Sequence, residues 1–335
     1  MDMTDLGVLE SVSEYKCKSP IVFIFFNRPH AMIKVLERIR QVRPDKLYLV
    51  ADGPRNEEEK SKTGECRCIA QEMIDWDCQV VKVYAEKNMG CRNRVVSGIS
   101  FVLQQEESAI ILEDDCVPSI SFFRFMDEML ERYKENDEVY YVAGRNEVGK
   151  HDEQNYDYYL SHHGGIWGWG TWERSWKIYD VDMVHWPEIR DKKGGHVREW
   201  MGWKEWVRKK RLNEDTYNGK INTWDFQMTF TMQYHRKTCI VPSVNLVQNI
   251  GVGPDATHTS MKVDKRFSLP AYEMNFPLRH PENIAVHNGY DRAYSREVFE
   301  KGFWRYLLLQ IIKRGLKVLT GKEFGRKDFP LLFQK

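Results

Sequence analysis

Short runs of consecutive apolar residues recur along the first half of the chain, separated by amphipathic stretches. The first such run begins at Ile21 and contains only branched and aromatic side chains. Runs that are apolar on both faces are typical of buried strands in a parallel or mixed sheet. The pattern predicts strands at residues 21–26, 47–50, 80–84, 109–112 and 139–142.

The stretches between these runs carry apolar residues at helical spacing. They predict helices at residues 30–42, 56–76, 91–105 and 122–133. Regular alternation of strand and helix is the pattern of an open α/β sheet with parallel crossovers. The predicted fold class is therefore α/β, with a Rossmann-like, mixed but mostly parallel sheet flanked by helices.

Polar residues follow the predicted strands at the points where the strands end. They are Arg28, Asp52 and the triplet Glu113, Asp114 and Asp115. In open α/β sheets, ligands bind at the carboxyl ends of the strands, so these side chains are expected on one rim. Neither a dinucleotide-binding glycine motif nor a P-loop follows any strand.

The acid triplet is the most informative of these groups. Three adjacent carboxylates repel each other unless a cation or hydrogen-bond donors compensate them. Carboxylate oxygens suit hard divalent ions, which proteins commonly hold through one or two acids together with substrate phosphates. The triplet after a buried strand therefore predicts a site for Mn²⁺ or Mg²⁺ and a diphosphate.

The second half of the chain is rich in tryptophan. Eight of the eleven tryptophans lie between residues 156 and 206. Residues 164–171 are almost wholly glycine and tryptophan, which favours a loop that lines a substrate, with a buried turn as the alternative. Trp200, Trp203 and Trp206 are spaced to share one helix face, with core packing as the favoured role.

The end of the chain has a different character. Between residues 301 and 327 there are eight basic residues and a single acid, Glu323, beside an apolar stripe. Such a basic amphipathic segment either lies on an anionic membrane surface or packs on the domain with its charges solvated. The predicted organisation is a leader at 1–19, a half at 20–150 that carries the acid triplet, a tryptophan-rich half at 151–295 and a tail at 296–335.

Composition excludes several classes of protein. The 335 residues carry a formal net charge of +1, which argues against a dedicated nucleic-acid-binding protein. No stretch has the length of apolar sequence that a membrane span needs, and the first twenty residues have no signal-peptide core. Seven scattered cysteines are expected to be mostly reduced thiols, which places the protein in the cytoplasm.

The segment from Ile111 to Ser119, with its Glu-Asp-Asp triplet, resembles a motif of GT-A fold glycosyltransferases. The similar enzymes are the N-acetylglucosaminyltransferase that starts complex N-glycan branching and related bacterial transferases of surface polysaccharides. Further segments resemble that family in the same order along residues 20–260. They are 20–28, 50–53, 141–146, 168–172, 223–226 and 241–258.

The resemblance implies a metal-dependent transfer of sugar from a nucleotide-diphosphate sugar, in particular a UDP-sugar, with inversion. The acceptor would be a glycan or a lipid-linked glycan. The roles it implies on the donor side are a direct metal ligand (Asp115), a loop residue near the diphosphate or metal (His258) and donor-binding residues. The donor-binding residues are Arg28, Asp52, Glu113, Asp114 and Arg145.

The resemblance makes residues 20–150 the nucleotide-sugar-binding half and residues 151–295 the acceptor-side half of one catalytic domain. The acceptor side is implied by the Gly-Trp segment at 168–172 and the Trp-Asp segment at 223–226. Asp225 would be the catalytic base, and Trp167, Trp169 and Trp224 would line the acceptor. The family has two adjacent acids where this chain has only Asp225, so the base could be displaced by one position. The chain also lacks the anchor and stem of the animal enzymes, which favours a cytoplasmic enzyme that is soluble or peripheral on the inner face of the membrane.

Two other classes stay open. A sugar-1-phosphate nucleotidyltransferase also places acids at a strand end, but it usually has a glycine-rich basic loop where this chain has residues 27–30, Asn-Arg-Pro-His. A non-catalytic carbohydrate-binding protein would use the tryptophans, but it leaves the acid triplet unexplained.

Overall fold

A computed structural model describes residues 15–151, 155–251, 269–282 and 284–321. The described residues form ten strands, which are β1 (Ile21–Phe25), β2 (Lys46–Ala51), β3 (Gln79–Tyr84), β4 (Ser108–Glu113), β5 (Cys116–Pro118), β6 (Val139–Ala143), β7 (Tyr158–Ser161), β8 (Trp169–Trp172), β9 (Thr238–Pro242) and β10 (Val247–Asn249). The α-helices among them are α1 (Pro29–Val42), α2 (Glu57–Glu72), α3 (Gly90–Leu103), α4 (Ile120–Arg132), α5 (Glu173–Trp176), α6 (Trp186–Asp191), α7 (Trp203–Tyr217), α8 (Asp225–Tyr234), α9 (Asn288–Ser295) and α10 (Phe303–Thr320).

Eight strands form one sheet in the order β3-β2-β1-β4-β8-β6-β9-β7. The first four are parallel, β8 runs antiparallel to both of its neighbours, and β7 runs antiparallel to β9. Strands from both halves of the sequence therefore share a single sheet. The predicted fold class, a mixed and mostly parallel α/β sheet flanked by helices, is confirmed.

Helices cover both faces of this sheet. On one face, α1, α2 and α4 pack through buried residues such as Leu36, Ala70 and Met126. On the other face, α3 and α8 pack through Ile99 and Met228. The five strands predicted in the first half are all present, with ends shifted by one residue at most. These strands are buried on both faces, which is why continuous apolar runs located them.

The glycine- and tryptophan-rich segment at 164–171, predicted to be a substrate-lining loop, is a loop only in its first half. Its second half is β8, a buried strand between β4 and β6. Trp169 lies in the core on one face of the sheet, whereas Trp172 lies in the core on the other and donates its indole N–H to the carbonyl of Leu130 at 3.0 Å. Alternating side chains fill both layers, so residues 169–172 form a strand despite Gly170 within it.

The tryptophan trio also departs from its prediction. The helix α7 begins only at Trp203, so Trp200 lies before it and stacks on His162 with ring centroids 4.5 Å apart. Trp206 is buried, but Trp203 is 48% exposed. Core packing therefore holds for Trp206 and not for Trp203.

Hydropathy gives no membrane-spanning candidate among the helices that the structure describes.

Candidate active site

The acid triplet lies at the carboxyl end of the parallel strands, with Glu113 as the last residue of β4 and the two aspartates in the turn before β5. Arg28 follows β1, the neighbour of β4 in the sheet, and its guanidinium reaches both aspartates of the triplet. It forms an ion pair with Asp114 and donates to Asp115 Oδ2 at 2.9 Å. Asp114 also accepts from the backbone N–H of Phe26 at 3.2 Å. Arg28 and the acids thus meet at the carboxyl edge of the sheet, as predicted from their positions after parallel strands.

One guanidinium does not neutralise three carboxylates. Burial, followed by the charges of Asp115 and Asp114, raises the pKa of Glu113 to about 8, and Arg28 offsets only part of that rise. Burial also raises the pKa of Asp114 to about 6 against the opposing effect of Arg28. Burial and mutual repulsion therefore disfavour the ionised carboxylates, and a further cation at the rim would favour them.

The strand β10 places a second set of contacts on Asp115. It pairs antiparallel with β5, the strand that follows the triplet. Asn249 at its end donates from Nδ2 to Asp115 Oδ1 at 3.2 Å, and the N–H of Ile250 donates to the carbonyl of Asp115 at 2.8 Å. Next comes Gly251, where a Cβ would lie only 2.0 Å from Asp115 Oδ2. Asp115 is thus held from both sides, by Arg28 and by Asn249.

Asp52 follows β2 on the same rim, but its carboxylate is engaged with backbone. Oδ1 accepts from the N–H of Gly53 and of Met89, both at 2.8 Å, and Oδ2 accepts from the N–H of Gly90 at 3.0 Å and from Asn88 Nδ2 at 3.1 Å. These contacts satisfy N–H groups at the start of α3, which a helix cannot satisfy itself. In this structure Asp52 organises the turn into α3, and its role toward a nucleotide stays a prediction.

Asp225 is the first residue of α8 and reaches the same rim from the second half of the chain. It accepts a hydrogen bond from Thr223 Oγ1, and its charge contributes to the raised pKa of Glu113. Both acids, together with Asp52, also contribute to the raised pKa of Cys91 in α3, whose largest cause is burial. The charge of Asp225 therefore acts on Glu113, and its predicted role as the catalytic base stays a prediction.

The residue before Asp225 is fixed in the core. Trp224 is 2% exposed, its ring stacks on Trp169 at 5.4 Å, and its carbonyl accepts from the hydroxyl of Tyr179 at 2.9 Å. Trp169 is buried as well, so neither indole presents a face to solvent in this structure. The two rings instead support the start of α8, and the acceptor-lining role predicted for them stays untested.

Arg145 and Trp167 form a pair beyond the end of β6. The guanidinium of Arg145 lies 4.1 Å from the centroid of the Trp167 ring and donates from Nε to Glu147 at 2.8 Å. Arg145 is fully buried, whereas Trp167 is only partly buried. Arg145 therefore supports the ring of Trp167, which is the one of the three predicted acceptor-side tryptophans with a partly open surface.

His258, the loop residue predicted near the diphosphate or metal, lies outside the described residues. Within the part of the chain that the structure describes, no group of three His, Cys, Asp or Glu side chains is arranged to hold a metal ion by itself.

Residues that the sequence interpretation missed are Asn249 and Arg94. Asn249 is the last residue of a three-residue strand with no distinctive pattern, so nothing local marks it as a partner of Asp115. Arg94 in α3 is 6% exposed, and its Nε and Nη2 have no hydrogen-bond partner among the described residues. Burial lowers its pKa, and the charge of Asp52 opposes that effect. An arginine inside an amphipathic helix gives no sign that it will be buried.

No protein-family model and no curated protein matches the chain. Solved structures with a similar fold include UDP-glucose pyrophosphorylase complexed with UDP-glucose, at 10% identity over 68% of this chain and 92% of that one, with a TM-score of 0.34. A second is the galactosyltransferase LgtC with donor and acceptor sugar analogues, at 10% identity over 83% and 95%, with a TM-score of 0.35. A third is a mannosyltransferase from Pyrobaculum calidifontis with GDP-Man and Mn²⁺, at 12% identity over 68% and 79%, with a TM-score of 0.34. At these scores the likeness carries no argument about the activity of this chain.

Proposed function

We propose that the protein is a metal-dependent glycosyltransferase that moves a sugar from a nucleotide-diphosphate sugar to an acceptor hydroxyl of a glycan. The observation that carries the proposal is the rim of Glu113, Asp114 and Asp115, where Arg28 is the one cation paired with the acids among the described residues. The charge of Asp225, from the second half of the chain, adds to the raised pKa of Glu113. A UDP-sugar donor and inversion at the anomeric carbon rest on the resemblance of the motifs alone.

The residues present fit a divalent ion. The triplet offers only oxygen ligands, and the carboxylate of Asp115 is 16% exposed at the rim. Mg²⁺ and ions like it are commonly held by one or two carboxylates together with substrate phosphates, so a cage of three protein ligands is not needed. Asp115 would hold Mn²⁺ or Mg²⁺, with Asp114 and Glu113 beside it. When bound, the ion would neutralise charge that develops on the leaving diphosphate.

The other steps fall to the side chains of this chain. Asp225 would accept the proton of the acceptor hydroxyl at a carboxylate oxygen, the contribution of a general base. Trp167 would offer part of its ring to the acceptor sugar, and Arg145 keeps that ring in position.

The donor would lie along the ends of β1, β2 and β4. Arg28 is able to exchange an aspartate for a phosphate oxygen without leaving the rim, because guanidinium binds both groups in the same geometry. Asp52 would act on the nucleotide only through the turn that it organises or by exchanging a backbone partner. His258 follows Gly251 along the chain, and its approach to the diphosphate stays part of the proposal.

A thermal-shift panel tests the donor and the metal together. Wild type, Asp115→Asn and the control Asp75→Asn are heated with UDP-, GDP- and dTDP-sugars, with and without Mn²⁺. Asp75 forms an exposed ion pair with Arg40 outside the rim, so its variant controls for the loss of a surface carboxylate. A donor at a hundredfold excess over its Kd stabilises the native state by about 2.7 kcal/mol.

We expect one nucleotide sugar to stabilise wild type and the control only when Mn²⁺ is present, and to stabilise Asp115→Asn far less. Equal stabilisation of all three proteins would contradict the metal role of Asp115. Release of pyrophosphate from a nucleoside triphosphate and a sugar 1-phosphate, without sugar transfer to any glycan, would identify a nucleotidyltransferase instead.

A further inference from the structure

The last helix of the described chain, α10, packs against α7 through one side only. Phe303 is buried against Trp203, with ring centroids 4.9 Å apart, and the guanidinium of Arg208 lies 5.1 Å from the ring centroid of Tyr306. Arg208 of α7 donates to the carbonyls of Val298 and Lys301 at 3.1 and 3.0 Å, just before α10 begins. These contacts fix the rotation of the helix, and therefore which of its side chains face solvent.

The side of α10 that faces solvent is apolar. Its exposed residues recur at helical spacing along nearly the full length of the helix, and together we call them the apolar stripe. They are Trp304 (66% exposed), Leu308 (51%), Ile311 (60%), Val318 (86%) and Leu319 (81%). A contiguous row of large exposed apolar residues is unusual on a soluble surface and marks an interaction site.

A second tryptophan extends the stripe beyond the helix. Trp203, the first residue of α7, is 48% exposed, and its ring lies 5.9 Å from that of Trp304. Indole rings combine an apolar body with a polar N–H group and are enriched where a membrane meets water. The two exposed rings lie side by side at one end of the stripe.

Positive charge accompanies the stripe. Residues 301–321 contain five basic residues and no acid. At about 100° per residue, Arg305 and Arg314 lie roughly a quarter turn to either side of Trp304 around the helix. Both are exposed, so they border the stripe on opposite sides.

We propose that the apolar stripe binds the surface of an anionic lipid bilayer, with α10 lying in the plane of the interface. The charges favour this occupant over a second copy of the chain. Two stripes in contact would bring the exposed Arg314 of one molecule beside the basic helix of the other, whose residues 301–321 contain no acid. Each basic residue near an anionic lipid surface strengthens binding by about 1 kcal/mol. The apolar side chains of a basic amphipathic helix enter the boundary between headgroups and acyl chains. The inference goes beyond the proposed function and does not depend on it.

The test uses the full chain with vesicles of phosphatidylglycerol and phosphatidylcholine at 1:3, and with vesicles of pure phosphatidylcholine. Sedimentation measures the bound fraction, and a blue shift of tryptophan fluorescence measures burial of Trp203 and Trp304. The variants are Leu308→Ser with Ile311→Ser, and Arg305→Gln with Arg314→Gln. The matched control is Ile284→Ser, which removes an apolar side chain of similar exposure (53%) outside α10.

We expect wild type and the control to bind anionic vesicles and to bind neutral vesicles at least tenfold more weakly. The serine variant should bind anionic vesicles at least tenfold more weakly than wild type, because each apolar side chain removed from the interface contributes on the order of a kilocalorie or more. The affinity of the glutamine variant for anionic vesicles should fall by about fivefold for each charge removed. Added salt should weaken the vesicle binding of wild type more than that of this variant. All variants should unfold at the wild-type temperature, since the changed side chains are exposed.

Equal binding of the serine variant and wild type to anionic vesicles would overturn the proposal. The proposal would also fail if wild type did not bind vesicles and was dimeric by light scattering while the serine variant was monomeric, because the stripe would then join two copies. A wild type that binds neither vesicles nor itself would also refute it.

Discussion

The sharpest consequence of the site geometry is the effect of adding one methyl group at Gly251. In Gly251→Ala, the new Cβ would lie 2.0 Å from Asp115 Oδ2, 2.8 Å from its Cγ and 2.9 Å from Arg28 Nη1. Ordinary contacts between non-bonded heavy atoms are roughly 3.5 Å. The carboxylate oxygen must therefore retreat by about 1.5 Å, or the strand end that carries Gly251 must move away from it by a similar distance.

Either movement disturbs the same atoms. The carboxylate of Asp115 is held by Arg28 at 2.9 Å and by Asn249 at 3.2 Å, so rotation away from the methyl group breaks at least one of these bonds. A displacement of about 1 Å at a reacting centre costs roughly a hundredfold in rate, which is about 2.7 kcal/mol of barrier. We expect Gly251→Ala to lower the transfer rate by about a hundredfold and to raise the Mn²⁺ concentration needed for half-maximal rate.

The assay measures release of nucleoside diphosphate over a Mn²⁺ titration, with the nucleotide sugar that stabilises wild type most. Gly64→Ala is the control, because a Cβ at Gly64 in α2 meets nothing within 4 Å and alanine is favoured within a helix. Its rate should match wild type. A Gly251→Ala variant that stays within a few-fold of wild type at every Mn²⁺ concentration would refute the reasoning that Asp115 must keep this position.

Asp225→Asn should lower the turnover rate by roughly 10²–10⁴-fold with an unchanged donor thermal shift; turnover close to wild type would remove Asp225 from the mechanism. Asp52→Ala should lower the free energy of unfolding by about 1–2 kcal/mol in urea titrations, because the start of α3 loses its cap; an unchanged midpoint would show that the turn forms without Asp52. Burial lowers the pKa of His163, and Glu205 offsets only part of that effect. Below about pH 6.5 the unfolded chain therefore takes up a proton that the folded chain resists. The melting temperature of wild type should fall from pH 7 to pH 5, and it should fall less in His163→Gln; parallel curves for the two proteins would contradict this.

The sequence by itself determined the first half of the fold and the location of the acid rim. Strands buried on both faces appear as continuous apolar runs, so β1, β2 and β4 could be located from the pattern of apolar residues alone. Parallel strands end at the same edge of a sheet, so the residues after them had to meet. Arg28 and the acid triplet could be placed together for this reason, without knowledge of any side-chain contact.

The second half followed no such rule. The segment that forms β8 contains two tryptophans and a glycine in four residues, and its identity as a strand comes from hydrogen bonds to β4 and β6 on either side. Its tryptophans are therefore core residues, although the same composition is typical of loops that bind sugars. Strand formation there depends on partners that are distant in sequence, which a local pattern does not contain.

Tertiary structure alone decided what surrounds the predicted residues. Asn249 and Gly251 contact Asp115 only because β10 pairs with β5, more than a hundred residues earlier in the chain. Asp52 points its oxygens at the start of α3, and the apolar side of α10 faces solvent because α7 takes the other side. Sequence patterns fix which residues are apolar or charged and where strands end. Which oxygen meets which donor, and which helix face stays uncovered, depends on long-range packing.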